Sequence, residues 1–258
     1  MSGTFTRAIT RRPGRSFSAG LTSGAGEPEL TRALAQHAAY ERALAAAGVS
    51  ATVLGADEHY PDGTFVEDTA VLTARVAIVA RPGAATRVGE IESMAAVLAG
   101  FYSTVRRIEA PGTVDGGDVC QCDDHFLIGV SARTNETGAR QLAGFLGEFG
   151  YRATLIDIRA SSSLLHLKTG LSYLGAGRLV VAGDLPECAA LSAYERIEVD
   201  AGEGYAANCV QINARVLVAA GFPRFAERLQ RLGLDPLPLE MSEFQKMDGG
   251  LSCLSLRF

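Results

Sequence analysis

The chain ends in KMDGGLSCLSLRF, and in that tail Cys253 is the residue equipped for covalent chemistry, five residues from the end and behind a glycine pair. A thiol attacks only as thiolate, so it needs a base or a cation close by. Four histidines are available: His37 in an amphipathic stretch, His59 in a loop, His125 beside an apolar strand, and His166 in SSSLLHLKTG, just before a strand entry. A lone histidine is more often structural than catalytic, so a third group, an orienting carboxylate, has to complete the set. Acidic residues cluster in YPDGTFVEDTAVL, where Asp62, Glu67 and Asp68 precede a strand. In an extended chain Glu67 and Asp68 would point to opposite sides. Carboxylates at a strand entry are usually solvated, but a cluster of this kind also suits a planar cation such as guanidinium.

Two tracts begin alike, VDGGDV (residues 114–119) and MDGGLS (residues 247–252), each with a glycine pair that reads as entering a strand. Glycine there allows positive φ or a close approach of backbone to its neighbours, and the plainer reading is a pair of tight turns. CQCDDH (residues 120–125) carries soft ligands. A structural zinc site needs four, and no partner pair follows at a finger-like spacing. Cys120 and Cys122 therefore read as same-face strand residues and no metal is expected. Walker, Rossmann and serine-elbow signatures are absent, so no cofactor is expected either.

The elements that must position these groups repeat. Residues 27–49 (EPELTRALAQHAAYERALAAAGV) show helical periodicity with a glycine stop and are followed by a strand at SATVL. Short strands at TAVLTA and VAIVA, a helix over residues 87–99 and a strand at YSTVRRI form the next round. GDVCQC and HFLIGV, a helix over residues 135–149 and the strand ATLIDI form another. The order returns weakly around GLSYLG, RLVVAG, PECAALSAY and RIEV, then in NCVQIN, ARVLVAAG, PRFAERLQRLG and PLPLE. Strand, strand, helix, strand at a period of roughly 40–55 residues indicates a repeat architecture. Five rounds result if GLSCLSLRF pairs with the N-terminal strand, which would put Cys253 on a central strand of the last module.

Composition bounds the function. The 258 residues are 47% hydrophobic and 21% charged, and no linker divides them, so one domain is expected. The net charge of −5 and pI near 5.5 argue against nucleic acid as a partner. No apolar run is long enough to span a membrane. Arg7, Arg11, Arg12 and Arg15 in an acid-free N-terminus raise the question of a transit peptide, but TFTRAIT alternates like a strand. Five cysteines do not make a disulfide framework, which points to a reducing, cytoplasmic setting. A small molecule is the expected partner.

Taken together, PDGTFVEDTAV, RPGAATR, DGGDV, SARTN, HLKTGLSYL and EFQKMDGGLSCLSLRF resemble the dimethylarginine dimethylaminohydrolases, hydrolases of the guanidino-group-modifying superfamily. The matches run in order from about residue 10 to the end. The resemblance implies an α/β fold, the five-bladed α/β propeller of ββαβ pseudo-repeats called a pentein, and hydrolysis of Nω-methylated arginines to citrulline and an alkylamine. It also implies Cys253 as nucleophile, His166 as general acid and base, and Asp115 as the carboxylate orienting His166. Asp62, Glu67 and Asp68 match acidic residues around the substrate guanidinium, and Arg87 and Arg133 match arginines that steer its amino-acid end. Leu21 corresponds to a lid contact, Met247 to a main-chain contact for the α-amino group, and the assembly to a homodimer. Alternatives remain an arginine deiminase or an amidinotransferase of the same superfamily, or a catalytically silent arginine-binding relative. The deiminases carry His-x-Asp where this chain has His166-Leu167-Lys168, and Lys168 cannot accept a guanidinium hydrogen bond.

Overall fold

The computed structural model describes residues 4–24, 26–186 and 188–258. Ala25, in the N-terminal SFSAGLTSGAG loop, and Glu187, in the expected fourth-round helix, lie outside the described residues. The chain opens with β1 (Arg7–Arg11), α1 (Leu30–Ala46) and β2 (Ser50–Leu54), then β3 (Ala70–Leu72), β4 (Ala77–Val79), α2 (Glu90–Leu98) and β5 (Val105–Arg107). β6 (Val119–Cys122), β7 (His125–Val130), α3 (Glu136–Glu148) and β8 (Arg152–Asp157) follow, and then β9 (Leu171–Tyr173), β10 (Arg178–Val181) and β11 (Glu195–Glu198). The last part holds β12 (Val210–Ile212), β13 (Arg215–Ala219), α4 (Pro223–Arg231), β14 (Asp235–Leu239), α5 (Ser242–Gln245) and β15 (Leu256–Arg257).

The strands pair into five three-stranded sheets: β15-β1-β2, β3-β4-β5, β6-β7-β8, β9-β10-β11 and β12-β13-β14. In each, the middle strand has an antiparallel neighbour on one side and a parallel one on the other. A short connection suffices for the antiparallel pair, whereas the parallel pair needs a crossover, supplied by α1, α2, α3 and α4 in four of the modules. The fourth module differs from expectation. Between β10 and β11 the described residues of the stretch PECAALSAY form a single 3-10 turn, Leu191–Ala193, and no α-helix.

The terminal strand joins the N-terminal one as expected, with Ala8 opposite Arg257 and Ile9 opposite Leu256. Cys253, however, is on no strand. It lies in the 3-10 turn Ser252–Leu254 that precedes β15, and β15 is an edge strand while β1 is the centre of its sheet. The N-terminal segment is likewise structural, with Ala8, Ile9 and Thr10 buried. Among the described residues no helix is long and apolar enough to cross a membrane.

The described residues form two compact units, Glu67–Ala207 and Thr4–Val66 with Asn208–Phe258. In the first, α3 packs Leu142 and Leu146 with Ile78 and Ile128, while Leu127, Leu171, Leu179 and Leu191 make a second cluster. The second is centred on three phenylalanines, with Phe244 at ring-centroid distances of 5.6 Å from Phe17 and 6.2 Å from Phe65. Phe244→Ala should lower the free energy of unfolding by about 3–5 kcal/mol, read from urea denaturation. A loss below about 1 kcal/mol would mean that the cavity collapses and the triad is not the core of its unit.

Candidate active site

The sequence-predicted groups of the first unit converge on a buried set of charges. Asp68 lies in the 3-10 turn Val66–Thr69, so Glu67 and Asp68 are not in extended chain, and both are buried. Asp68 Oδ2 accepts from Arg87 Nη1 at 2.5 Å, and Asp68 Oδ1 accepts from the Gly117 N–H at 2.8 Å. Arg87 turns its Nε and Nη2 to Glu90 at 2.9 and 2.8 Å, a bidentate pair at i,i+3. Burial disfavours the Arg87 charge, yet Asp68 and Glu90 outweigh it and hold the guanidinium firmly protonated. Glu67 meets a different cation, Lys168 Nζ, at 2.6 Å.

His166 Nε2 lies 3.0 Å from Asp115 Oδ2, and Asp115 is fully buried and also accepts the Gly83 N–H at 2.8 Å. Burial works against a charged imidazole, but Asp68, the Asp115 hydrogen bond and Asp118 prevail, and the His166 pKa is raised to about 9. Burial likewise works against the Asp115 carboxylate, and the bond to His166 reverses it, so this carboxyl lies below its ordinary range. The pair stabilises the fold fully below the ordinary imidazole value of 6.5, and that contribution is lost as the pH rises through about 9. Asp68, Asp115 and His166 offer donor atoms within 4.8 Å of one another, the spacing an ion would need. Each is already engaged, so a cation entering there would have to displace Arg87 or break the Asp115–His166 bond.

The first glycine pair proves to be a matter of close approach and not of positive φ. Gly116 and Gly117 open the 3-10 turn Gly116–Asp118, and β6 starts only after it. A Cβ on Gly116 would lie 2.0 Å from the Glu67 carbonyl oxygen, and one on Gly117 2.8 Å from His166 Nδ1 and 2.9 Å from Asp68 Oδ1. Only a bare backbone lets the ring and the carboxylate lie against this turn.

In the second unit, the Gly250 N–H donates to Cys253 Sγ at 3.4 Å. The half-buried Cys253 follows Ser252, whose N–H and hydroxyl are both fixed by Asn208. Here too the glycines serve close packing: a Cβ on Gly249 would meet the Phe65 ring at 2.2 Å, and one on Gly250 the Asn208 side chain at 2.5 Å. Asp62, buried, accepts the Leu21 N–H with both carboxylate oxygens at 3.1 and 3.2 Å. Leu21 is 39% exposed, in a segment tied down by Thr22 to the Lys246 carbonyl and by Ser23 to Asp248. Met247 is buried, with its N–H committed to the Phe244 carbonyl, which leaves its carbonyl as the atom suited to an ammonium group.

Arg133 contrasts with Arg87. It is half-buried, and its guanidinium makes no hydrogen bond or ion pair with any described residue. Its backbone is held by Ser131, whose hydroxyl accepts the Arg133 and Thr134 N–H groups. Ser131, Thr134, Asp118 and Glu90 went unassigned in the sequence reading, although the first three sit inside the SARTN and DGGDV strings. Cys120 and Cys122 are buried on β6 with Sγ atoms 4.0 Å apart, as the same-face reading expects. His37, His59 and His125 take no part in these clusters.

The chain is 45% identical over 256 residues to the N(G),N(G)-dimethylarginine dimethylaminohydrolase of Pseudomonas aeruginosa, covering 98% of this chain and all of that protein. The chain belongs to the dimethylarginine dimethylaminohydrolase family. No family model matches it. A cysteine-to-serine mutant of the Pseudomonas aeruginosa dimethylarginine dimethylaminohydrolase complexed with citrulline is 44% identical and superposes with a TM-score of 0.96, covering 99% of this chain and all of that one. A dimethylarginine dimethylaminohydrolase adduct with S-methyl-L-thiocitrulline, in a histidine-to-glycine variant, gives 45% identity and a TM-score of 0.95 over the same shares of the two chains. The fold is therefore the five-bladed α/β propeller of ββαβ modules expected for a dimethylarginine dimethylaminohydrolase.

The two arginines should separate in a stability measurement. Arg87→Ala removes the cation that the buried Asp68 and Glu90 share and should cost roughly 3–5 kcal/mol in urea unfolding. Arg133→Ala should stay within about 0.5 kcal/mol of the parent. Equal effects would contradict the difference in pairing.

Proposed function

We propose that this protein hydrolyses Nω-methylated arginines, asymmetric dimethylarginine and monomethylarginine, to citrulline and an alkylamine, with its five modules acting as one catalytic domain in the cytoplasm. The observation that carries the reading is an imidazolium held by Asp115 among buried carboxylates. Asp68, Glu90, Asp115 and Asp118 are buried together with the cations Arg87 and His166, a group rich in carboxyls and suited to a guanidinium ligand. A protonated His166 is unsuited to deprotonating a thiol at neutral pH and well suited to protonating a departing amine.

The reaction then balances as follows. The Cys253 thiolate bonds to the guanidinium carbon, and the tetrahedral adduct breaks its bond to the methylated nitrogen, which leaves as amine with the proton of His166. An S-alkylthiouronium remains on Cys253. Water adds to the same carbon with one proton going to the now neutral His166, and the C–S bond breaks to release the thiolate and citrulline, whose second water-derived proton passes to solvent, where the departed amine takes it up. Asp62, Glu67 and Asp68 orient the cation, while Arg133 binds the α-carboxylate through its planar fork and Arg87 braces Asp68. Leu21 covers the bound amino acid and the Met247 carbonyl receives its ammonium group. Lys168, a donor only and occupied by Glu67, counts against the deiminase reading.

Citrulline release should be measured in parallel from asymmetric dimethylarginine, monomethylarginine, arginine and agmatine. Release from the two methylated substrates, lost in Cys253→Ser at an unchanged melting temperature, is the expected result. Turnover of arginine alone would place the protein among the deiminases. Arg133→Ala should raise KM severalfold with a smaller change in kcat, and unchanged substrate binding would remove Arg133 from the site. Because the acid is His166, kcat/KM should fall as the pH rises through about 9, and a descending limb near 6.5 would contradict that role.

A further inference from the structure

Asp118 is fully buried, and both of its carboxylate oxygens are spent on the segments that carry His166 and Arg133. Oδ1 accepts the N–H of Leu167 at 2.9 Å, the peptide directly after His166. Oδ2 accepts the hydroxyl of Ser131 at 2.7 Å. Ser131 Oγ in turn accepts the N–H groups of Arg133 at 2.9 Å and Thr134 at 3.0 Å, and the Ser131 N–H bonds the Thr134 carbonyl, so residues 131–134 form a closed turn anchored on Asp118. Thr134 completes the node. Its hydroxyl donates to Asp118 and accepts the Asp115 N–H at 3.0 Å, linking the carboxylate that orients His166. The chain makes room for this geometry at Gly129, where a Cβ would stand 2.9 Å from the Leu167 Cβ and 3.0 Å from Asp118 Oδ1.

We propose that Asp118 is a positioning residue that sets two parts of the site at once, the His166 main chain through Leu167 and the Arg133-bearing turn through Ser131. The inference rests on the roles of His166 and Arg133 in methylarginine hydrolysis given above. An ionised carboxylate is what the node requires, since each oxygen receives donors. Burial pushes the Asp118 carboxyl up, and His166, Thr134, Ser131 and the Leu167 N–H oppose that shift. An amide in its place turns one of the two acceptors into a donor facing an N–H or a hydroxyl already engaged, so one arm must open. It also removes one of the three carboxylates, Asp68, Asp115 and Asp118, whose charge acts on His166; Lys168, two residues along its own turn, is held by Glu67, and Arg87 faces Asp68.

Steady-state kinetics with asymmetric dimethylarginine across a pH series on the whole protein, Asp118→Asn and Ser131→Ala test this. Ser131→Ala frees only the Arg133 turn and should raise KM severalfold while kcat and the pH profile stay within about twofold. Asp118→Asn should raise KM similarly, lower kcat by roughly tenfold or more, and move the descending limb of kcat/KM to lower pH, because the imidazolium has lost one of its counter-charges. A merely structural carboxylate would lower the folded fraction and leave KM and the position of the limb alone, and that result overturns the proposal. Should Asp118→Asn fail to fold, Ser131→Ala decides: a raised KM supports the node and an unchanged KM removes it. The parent protein run alongside separates the two levels, since silence of the parent would refute methylarginine hydrolysis itself.

Discussion

The constraint on which the first unit depends is electrostatic. Carboxyl groups at Asp68, Glu90, Asp115 and Asp118 are withdrawn from water, and a buried carboxyl has to find a cation or hydrogen-bond donors. Arg87 answers two of them, His166 a third, and Asp118 is held by hydroxyl and backbone donors. One consequence is an imidazole whose pKa is raised to about 9, so that the charged form is favoured at neutral pH. Another is a region of negative potential whose natural complement is a delocalised cation. In the proposed reaction the same charges that bind a guanidinium also hold the proton that its leaving group needs, so binding and acid catalysis would draw on one arrangement.

That arrangement is possible only because backbones come unusually close. Gly116 lies against the carbonyl of Glu67, and Gly117 lies against both the His166 ring and Asp68. Gly83 approaches the main chain of Arg133, where a Cβ would be 2.2 Å from its carbonyl oxygen, and simultaneously donates to Asp115. In the second unit Gly249 and Gly250 play the same part against Phe65 and Asn208, which set the turn that carries Cys253. The candidate site residues Asp68, Asp115, His166 and Cys253 sit in or at the start of short 3-10 turns.

Much of this was legible in the sequence. Alternating apolar runs and helical periodicity located the strands and four crossover helices to within a few residues, because each module buries its own hydrophobic faces and local pattern reports that burial. The fourth crossover differs: PECAALSAY has helical composition, yet its described residues form a 3-10 turn, whereas the equally long, proline-led α4 is helical, so local composition does not separate the two. Cys253 was expected on a strand but lies in a 3-10 turn, and the turn that holds Glu67 and Asp68 was not foreseen, because 3-10 turns have no hydrophobic period to betray them. The pairings of Arg87 with Glu90, Lys168 with Glu67, and Asp118 with Ser131 join residues whose partners are chosen by tertiary packing, and only the resemblance pointed to their neighbourhood.

The central claim is that the buried carboxylates hold His166 as an imidazolium in the resting protein, and nitrogen-15 NMR titration of its ring tests it most directly. Two protonated ring nitrogens at neutral pH, with a midpoint near about 9, are predicted. A neutral ring at pH 7, titrating at or below its ordinary value of 6.5, would contradict the account.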